Sequence, residues 1–197
     1  MDMPAAKTPR ASLTKDDWSA AALTALERHG LAAVAVEPIA KTLGATKGSF
    51  YWHFTGRDDL IAAALDQWER RDTDGVIAVV EQAEDDEERL RLLLRLVLQA
   101  VVGTPGAGSV ELALQPHADH PMVAPVLARV TERRMSTLES LFAQQGLSPA
   151  DARDRARLTY AAYLGHAQLA HATPGQLPTG KAFTAYVDRI VETLAEV

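Results

Sequence analysis

The sequence predicts an all-α protein of about nine helices. Three observations carry that expectation: apolar residues recur at intervals of three and four, capping signals punctuate those stretches, and no segment alternates apolar and polar residues between hairpin turns. The composition agrees, since 47% hydrophobic and 23% charged residues with no cysteine describe a globular chain that must hold itself together by core packing rather than by disulfides.

Taken in order, Thr14 with Asp17 forms a capping box and Leu13 with Trp18 a hydrophobic staple, so the first helix begins at residue 15. It carries Trp18, Ala22, Leu26 and His29 at helical spacing until Gly30 stops it. Val36 to Leu43 follows, with Pro38 in the first turn, where a missing N–H costs no intrahelical bond, and Gly44 closes it. Thr46 caps a short helix from Lys47 to about His53; with only Gly44-Ala45-Thr46 between them, the two helices make a helix-turn-helix pattern. A longer helix opens near Arg57, with Asp58 and Asp59 in the turn the macrodipole favours and Leu60, Ala64 and Trp68 on one face. Two ends remain open for it, Gly75 and about Gln82.

After the acidic run Glu84 to Glu88, Leu90 to Val102 is apolar except for the stripe Arg91, Arg95 and Gln99, as expected for the central helix of a larger domain. Gly103 to Gly108 is a connector that lacks the lysine and preceding strand of a phosphate loop. A short helix near Ser109 to Gln115 precedes a long one from Met122 to Gln145, with Val123, Leu127, Val130, Leu138 and Leu141 inward. Ser148 and Asp151 form a second capping box around Pro149 and open a helix to about Ala172. The Pro/Gly-rich stretch from Thr173 to Gly180 leads to a last helix bearing Phe183, Tyr186, Val187, Ile190 and Leu194.

The absence of cysteine excludes thiol catalysis and thiolate metal sites. No apolar run approaches the ~20 residues of a membrane helix, and the charged, proline-bearing first residues are unlike a signal peptide, so a cytoplasmic location is expected. Charge is uneven. Residues 1–57 hold seven Lys/Arg against five acids, whereas residues 58–197 hold 13 against 21. A mildly basic head on an acidic body suits a protein that meets a polyanion with one end.

The richest stretch is Ile39-Ala40-Lys41-Thr42-Leu43-Gly44-Ala45-Thr46-Lys47-Gly48-Ser49-Phe50-Tyr51-Trp52-His53-Phe54. Ile39, Leu43, Phe50 and Phe54 face inward, leaving Thr46, Lys47, Ser49, Tyr51, Trp52 and His53 on or near the outer side of the second helix. Lys47 and the helix N-terminus suit phosphate, and Ser49, Tyr51 and Trp52 suit base edges, thymine methyls or sugar. His53 with Arg57 is expected to clamp the backbone of double-stranded DNA.

These residues resemble the tetracycline-repressor (TetR) family of bacterial regulators. The likeness runs through Ala35-Val36-Glu37-Pro38-Ile39-Ala40, the block Gly44 to Phe54 with its Tyr51-Trp52-His53-Phe54, and Arg57-Asp58-Asp59-Leu60, within residues 13–60. Ala35 stands where the family usually has Ser or Thr, removing a cap worth about 1 kcal/mol, and Arg57 replaces a Lys. The resemblance implies residues 1–12 as a flexible tail, 13–56 as a DNA-binding head, and 57–197 as a ligand-binding and dimerisation domain. It further implies a homodimer on a palindromic operator, acting as a repressor and released by a small, apolar effector, with no cofactor and no membrane partner. An activator or a ligand-independent regulator of the same fold is the alternative.

For the dimer seam the resemblance points to the last two long helices, with Tyr160, Ala161, Leu164, Gly165, Phe183, Tyr186, Val187 and Ile190 as candidates. Trp68, Met122, Met135 and Phe142 suit a core and, by family architecture, a ligand pocket; His117 at a rim and Gln168 beside His166 and His171 are added to that set. His117, Asp119 and His120 are also the residues a helical enzyme would use, but no third ligand or nucleophile accompanies them.

Overall fold

The computed structural model describes residues 13–103 and 109–196, so residues 1–12 and the connector 104–108 lie outside the described residues. Ten α-helical spans are present among the described residues, with no strand. They are α1 (Lys15–His29), α2 (Val36–Leu43), α3 (Lys47–Phe50), α4 (Arg57–Glu69), α5 (Gly75–Val80), α6 (Asp86–Gly103), α7 (Ser109–Leu114), α8 (Ala124–Gln144), α9 (Pro149–Ala172) and α10 (Gly180–Ala195). A π-helical turn, Arg70–Asp74, joins α4 to α5 without a break, so the two are one rod and the rods number nine.

The helix starts follow their capping chemistry. Thr14 Oγ1 accepts the Asp17 N–H while Asp17 Oδ2 accepts the Thr14 N–H at 2.7 Å, and Ser148 Oγ accepts the Asp151 N–H in the same way. Gly44 closes α2 at φ 60° and ψ 32°, the left-handed conformation that a side chain would oppose.

Gly75 does not stop the rod. A Cβ there would lie 3.2 Å from the Arg70 carbonyl oxygen, so glycine makes room for the widened π turn and the helix runs on to Val80. The helix expected from Lys47 to about His53 is α-helical only to Phe50, followed by a turn through Tyr51, Trp52 and His53. Coiling continues there in tightened form, with the His53 N–H on the Phe50 carbonyl at 2.9 Å and the Phe54 N–H on the same oxygen at 3.1 Å.

Two apolar clusters divide the molecule, and they do not part at residue 57. The first joins Trp18, Leu26, Ile39, Phe50 and Phe54 of the head to Leu60, Ile61, Leu65 and Trp68 of α4, Leu114 of α7 and Val130 of α8. The second gathers Val80, Leu90, Leu94, Leu98, Phe142, Ala156, Val187 and Val191 from α5, α6, α8, α9 and α10. Because α4 belongs to the first cluster and α5 to the second, the rod carrying the π turn is shared between head and body. α6 packs on α5, α8, α9 and α10, the central position its apolar surface requires, while Arg95 and Gln99 stay exposed.

Candidate functional site

The head is assembled around aromatic rings. Trp18 of α1 meets Phe50 of α3 edge-on at 5.4 Å between centroids, and Phe50 stacks on Phe54 at 5.2 Å; all three are buried. Lys15 Nζ lies 5.2 Å over the Phe54 ring. With Phe50 fixed inward, helical geometry turns the intervening residues out: Trp52 is 87% exposed and Tyr51 55%. Thr46, Lys47 and Gly48 are exposed beside them, and Ser49 and His53 are half-buried.

Local bonds already engage some of this surface. Thr46 Oγ1 accepts the Ser49 N–H at 3.1 Å and Ser49 Oγ donates to the Thr46 carbonyl at 2.8 Å, so the Ser49 hydroxyl keeps only acceptor capacity. Lys47 Nζ lies 2.9 Å from Glu37 Oε1 of α2, and this pairing holds the Glu37 carboxyl below its usual range. Arg57, an exposed residue, donates from Nε to the Val34 carbonyl at 2.6 Å and from Nη2 to the Leu31 carbonyl at 2.9 Å, tying the start of α4 to the chain between α1 and α2.

A second site lies beneath the π turn, a cavity of about 70 Å³ between α5, α6, α8 and α9. Its walls are mainly Val76, Ile77, Leu93, Leu94, Val97 and Leu138, with Thr73, Arg134, Thr159, Tyr160 and Tyr163 supplying polar atoms. Arg134 organises these groups. Its Nη1 is 2.6 Å from Glu111 Oε2, its Nε donates to Thr73 Oγ1 at 3.0 Å, and its Nη2 donates to the Asp72 carbonyl at 3.3 Å. The guanidinium also lies 5.6 Å over both the Trp68 and Tyr163 rings. Glu111, only 2% exposed, further accepts from the Tyr160 and Tyr163 hydroxyls.

Burial, reinforced by the Glu111 charge, pushes the Tyr160 phenol up to about 12 and moves Tyr163 in the same direction. Both therefore stay protonated donors at neutral pH. A buried ion pair with every carboxylate oxygen occupied thus joins α7, α8 and α9 to the π turn of the rod that supports the head.

Residues 20–64 match the family model described as bacterial regulatory proteins, tetR family. The match runs from within α1 into α4. Over 79 residues the chain is 33% identical to the HTH-type transcriptional regulator TtgR of Pseudomonas putida, a match covering 40% of this chain and 37% of that one. The chain thus matches little more than a third of that relative's length. Among solved structures, a TetR transcriptional regulator from Legionella pneumophila superposes with TM-score 0.76 at 15% identity, covering 94% of this chain and 98% of the other. AibR in complex with isovaleryl coenzyme A and operator DNA gives TM-score 0.66 at 20% identity, with 91% and 96% covered. At such identities these two likenesses establish a common fold.

In the head, α3 and its following turn leave Thr46, Lys47, Tyr51 and Trp52 exposed and Ser49 and His53 half-buried, and Arg57, exposed at the start of α4, gives two of its five N–H donors to the two carbonyls. Gly48, absent from the expected set, belongs beside them: a Cβ there would meet only Thr46 Oγ1, at 3.6 Å, so the fold itself has no need of glycine.

None of the six residues expected at a ligand pocket lines the cavity. Trp68 and Phe142 are wholly core, Met122 and Met135 pack at the margins of the two clusters, Gln168 is exposed, and His117 sits in the turn after α7. Of the seam candidates, Tyr160 lines the cavity and Val187 is buried in the second cluster. Ala161 and Gly165 are exposed and Leu164, Phe183, Tyr186 and Ile190 half-buried; Leu158 and Leu169, overlooked in the sequence, are the exposed large apolar residues of α9.

His166 is fully occupied, with Nδ1 2.6 Å from the Ala162 carbonyl oxygen and Nε2 2.7 Å from the Tyr186 hydroxyl, so it fastens α9 to α10. His120 Nδ1 accepts the Met122 N–H at 3.2 Å, which ends a turn. The described residues contain no group of three or more side chains placed to hold a metal, and no helix long and apolar enough to cross a membrane.

Proposed function

We propose that the chain is a ligand-responsive transcriptional repressor that binds a palindromic operator as a homodimer and is released by a small molecule in the cavity. In this reading two copies set their α3 segments in successive major grooves about 34–36 Å apart. The observation that carries it is the outer side of α3. A tryptophan 87% exposed, a tyrosine 55% exposed and a lysine share a short segment bolted to the head core by Phe50, a display that costs solubility unless something covers it. The tetR-family match over residues 20–64, and operator DNA in the structure of AibR, support a DNA duplex as that partner.

Two copies are proposed to meet through α9 and α10. Leu158, Ala161, Gly165 and Leu169 follow one another at intervals of three and four along an uncovered face of α9, with glycine allowing close approach.

Release is proposed to act through the rod. Asp72, Thr73, Val76 and Ile77 wall the cavity, while Leu60, Leu65 and Trp68 of the same rod are packed into the head core, so a ligand that shifts the π turn re-aims the head. It does so only by binding the DNA-incompetent arrangement more tightly.

Selection of bound duplexes from random DNA, followed by fluorescence anisotropy across a salt series, tests the assignment. Lys47→Ala is expected to weaken all duplexes and lower the salt slope by about one, and Trp52→Ala to alter sequence preference, with melting temperatures unchanged. Operator affinity indifferent to both substitutions would remove the reading.

A further inference from the structure

The cavity shows what kind of molecule it accepts, and this inference rests on the reading of that cavity as the effector site. Its polar wall is electrically closed. Arg134 faces Glu111 one-to-one, with side chains only 13% and 3% exposed, and the bonds to Thr73, the Asp72 carbonyl, Tyr160 and Tyr163 complete their geometry. A carboxylate entering beside this pair would find Arg134 already neutralised, and an ammonium would find Glu111 already neutralised. Either would arrive as an uncompensated buried charge, the arrangement proteins avoid most strongly.

One hydroxyl of the wall stands outside this network and has no partner of its own among the described residues. Thr159, 4% exposed and lining the cavity, has an Oγ1 that is buried and finds no hydrogen-bond partner among the described residues. Buried hydroxyls are rarely left so, and this one, on a residue of the cavity wall, keeps both a donor and an acceptor unused. Asp72, also at the wall, has its carboxylate paired with Arg71 at 2.5 and 2.9 Å, and the Thr137 hydroxyl donates to the Arg133 carbonyl at 2.9 Å; the rest of the lining is aliphatic and aromatic.

We infer that the effector is a small uncharged molecule with an apolar body and a single hydroxyl or carbonyl group, held by the Thr159 hydroxyl between α5, α6 and α9. Carboxylates, acyl-coenzyme A thioesters and amines are outside its class. The cavity of about 70 Å³ sets the scale at a few carbon atoms inside the wall, with the remainder of a longer body extending toward the cavity mouth.

The test uses the full chain and three probes of one length: 1-hexanol, hexanoate and hexylamine, titrated by NMR or calorimetry. Hexanol is expected to bind at least about tenfold more tightly than either charged analogue. Thr159→Val, a nearly isosteric change, is expected to lower hexanol affinity about fivefold while the unliganded variant melts no lower than the parent, since an unpaired buried hydroxyl has been replaced by a methyl group. Hexanoate or hexylamine binding as tightly as hexanol would overturn the inference. So would unchanged hexanol affinity in Thr159→Val, or a lowered melting temperature, which would mean that the hydroxyl is already satisfied within the protein. Operator release is read separately: selective hexanol binding without release leaves the site standing and defeats the repressor reading, whereas release by a charged compound at this cavity does the reverse.

Discussion

Neutralising Glu111 alone should cost far more than neutralising Glu111 and Arg134 together. Glu111 is 2% exposed and accepts from Arg134, Tyr160 and Tyr163, while Arg134 spends its other bonds on Thr73 and the Asp72 carbonyl. In Glu111→Gln the guanidinium stays buried without its counter-charge, and losses of this kind run to about 3–5 kcal/mol. Domains of this size lose about 2–4 °C per kcal/mol, so the melting temperature should fall by roughly 6–20 °C. Arg134→Met with Glu111→Gln removes the stranded charge and leaves an amide that can still serve the two tyrosines, so the double variant should regain most of the loss. Chemical or thermal denaturation of the parent, both single variants and the double variant closes the cycle, with a coupling of about 2 kcal/mol or more expected. Additive costs, or a Glu111→Gln loss under about 1 kcal/mol, would show that solvent reaches the pair and would refute its description as a buried joint.

Gly48→Ala should leave the fold intact or stabilise it by about 0.5–1 kcal/mol, since a Cβ meets only Thr46 Oγ1 at 3.6 Å, yet weaken duplex binding if DNA backbone approaches there; equal affinity in a binding assay would show that the space is unused. Glu37→Gln removes the carboxylate 2.9 Å from Lys47 Nζ, so duplex affinity should rise about two- to fivefold, most clearly at low salt, and a fall would place Glu37 among the contacts rather than against them. Tyr160 keeps its proton to about pH 12 in the folded chain but only to about pH 10 when unfolded, so its contribution to stability is complete below about 10 and is lost as pH rises through about 12. Tyr160→Phe should flatten the decline of stability over that window in denaturation measured from pH 9 to 12, and an unchanged slope would put the phenol in solvent.

Much of the architecture was legible because the relevant information is local. A capping box needs only Thr14 and Asp17, a left-handed stop only Gly44, and the inward ring of α3 only Phe50 and Phe54 at helical spacing. The outer side of α3 was legible for the same reason, since one helical segment decides which residues turn away from its core. The bonds of Arg57 were not legible because the Leu31 and Val34 carbonyls that accept from its guanidinium lie more than twenty residues earlier. The cavity was missed more completely. Apolar and aromatic residue types gave Trp68, Met122, Met135 and Phe142, but those positions are packed solid or marginal, and the cavity forms where Thr73, Arg134 and Thr159 from separate helices happen to face one another.

The sequence by itself determined an all-helical chain, the helix-turn-helix head and the residues that head presents, because caps, turns and helical periodicity act over a few residues. Tertiary structure alone decided that Glu111 and Arg134 neutralise each other, that the rod from Arg57 to Val80 widens into a π turn instead of breaking at Gly75, and that the hydroxyl of Thr159, in the cavity wall, has no partner among the described residues. Those outcomes depend on which faces of distant helices meet, and burial then fixes the cost of every charge and hydroxyl left between them.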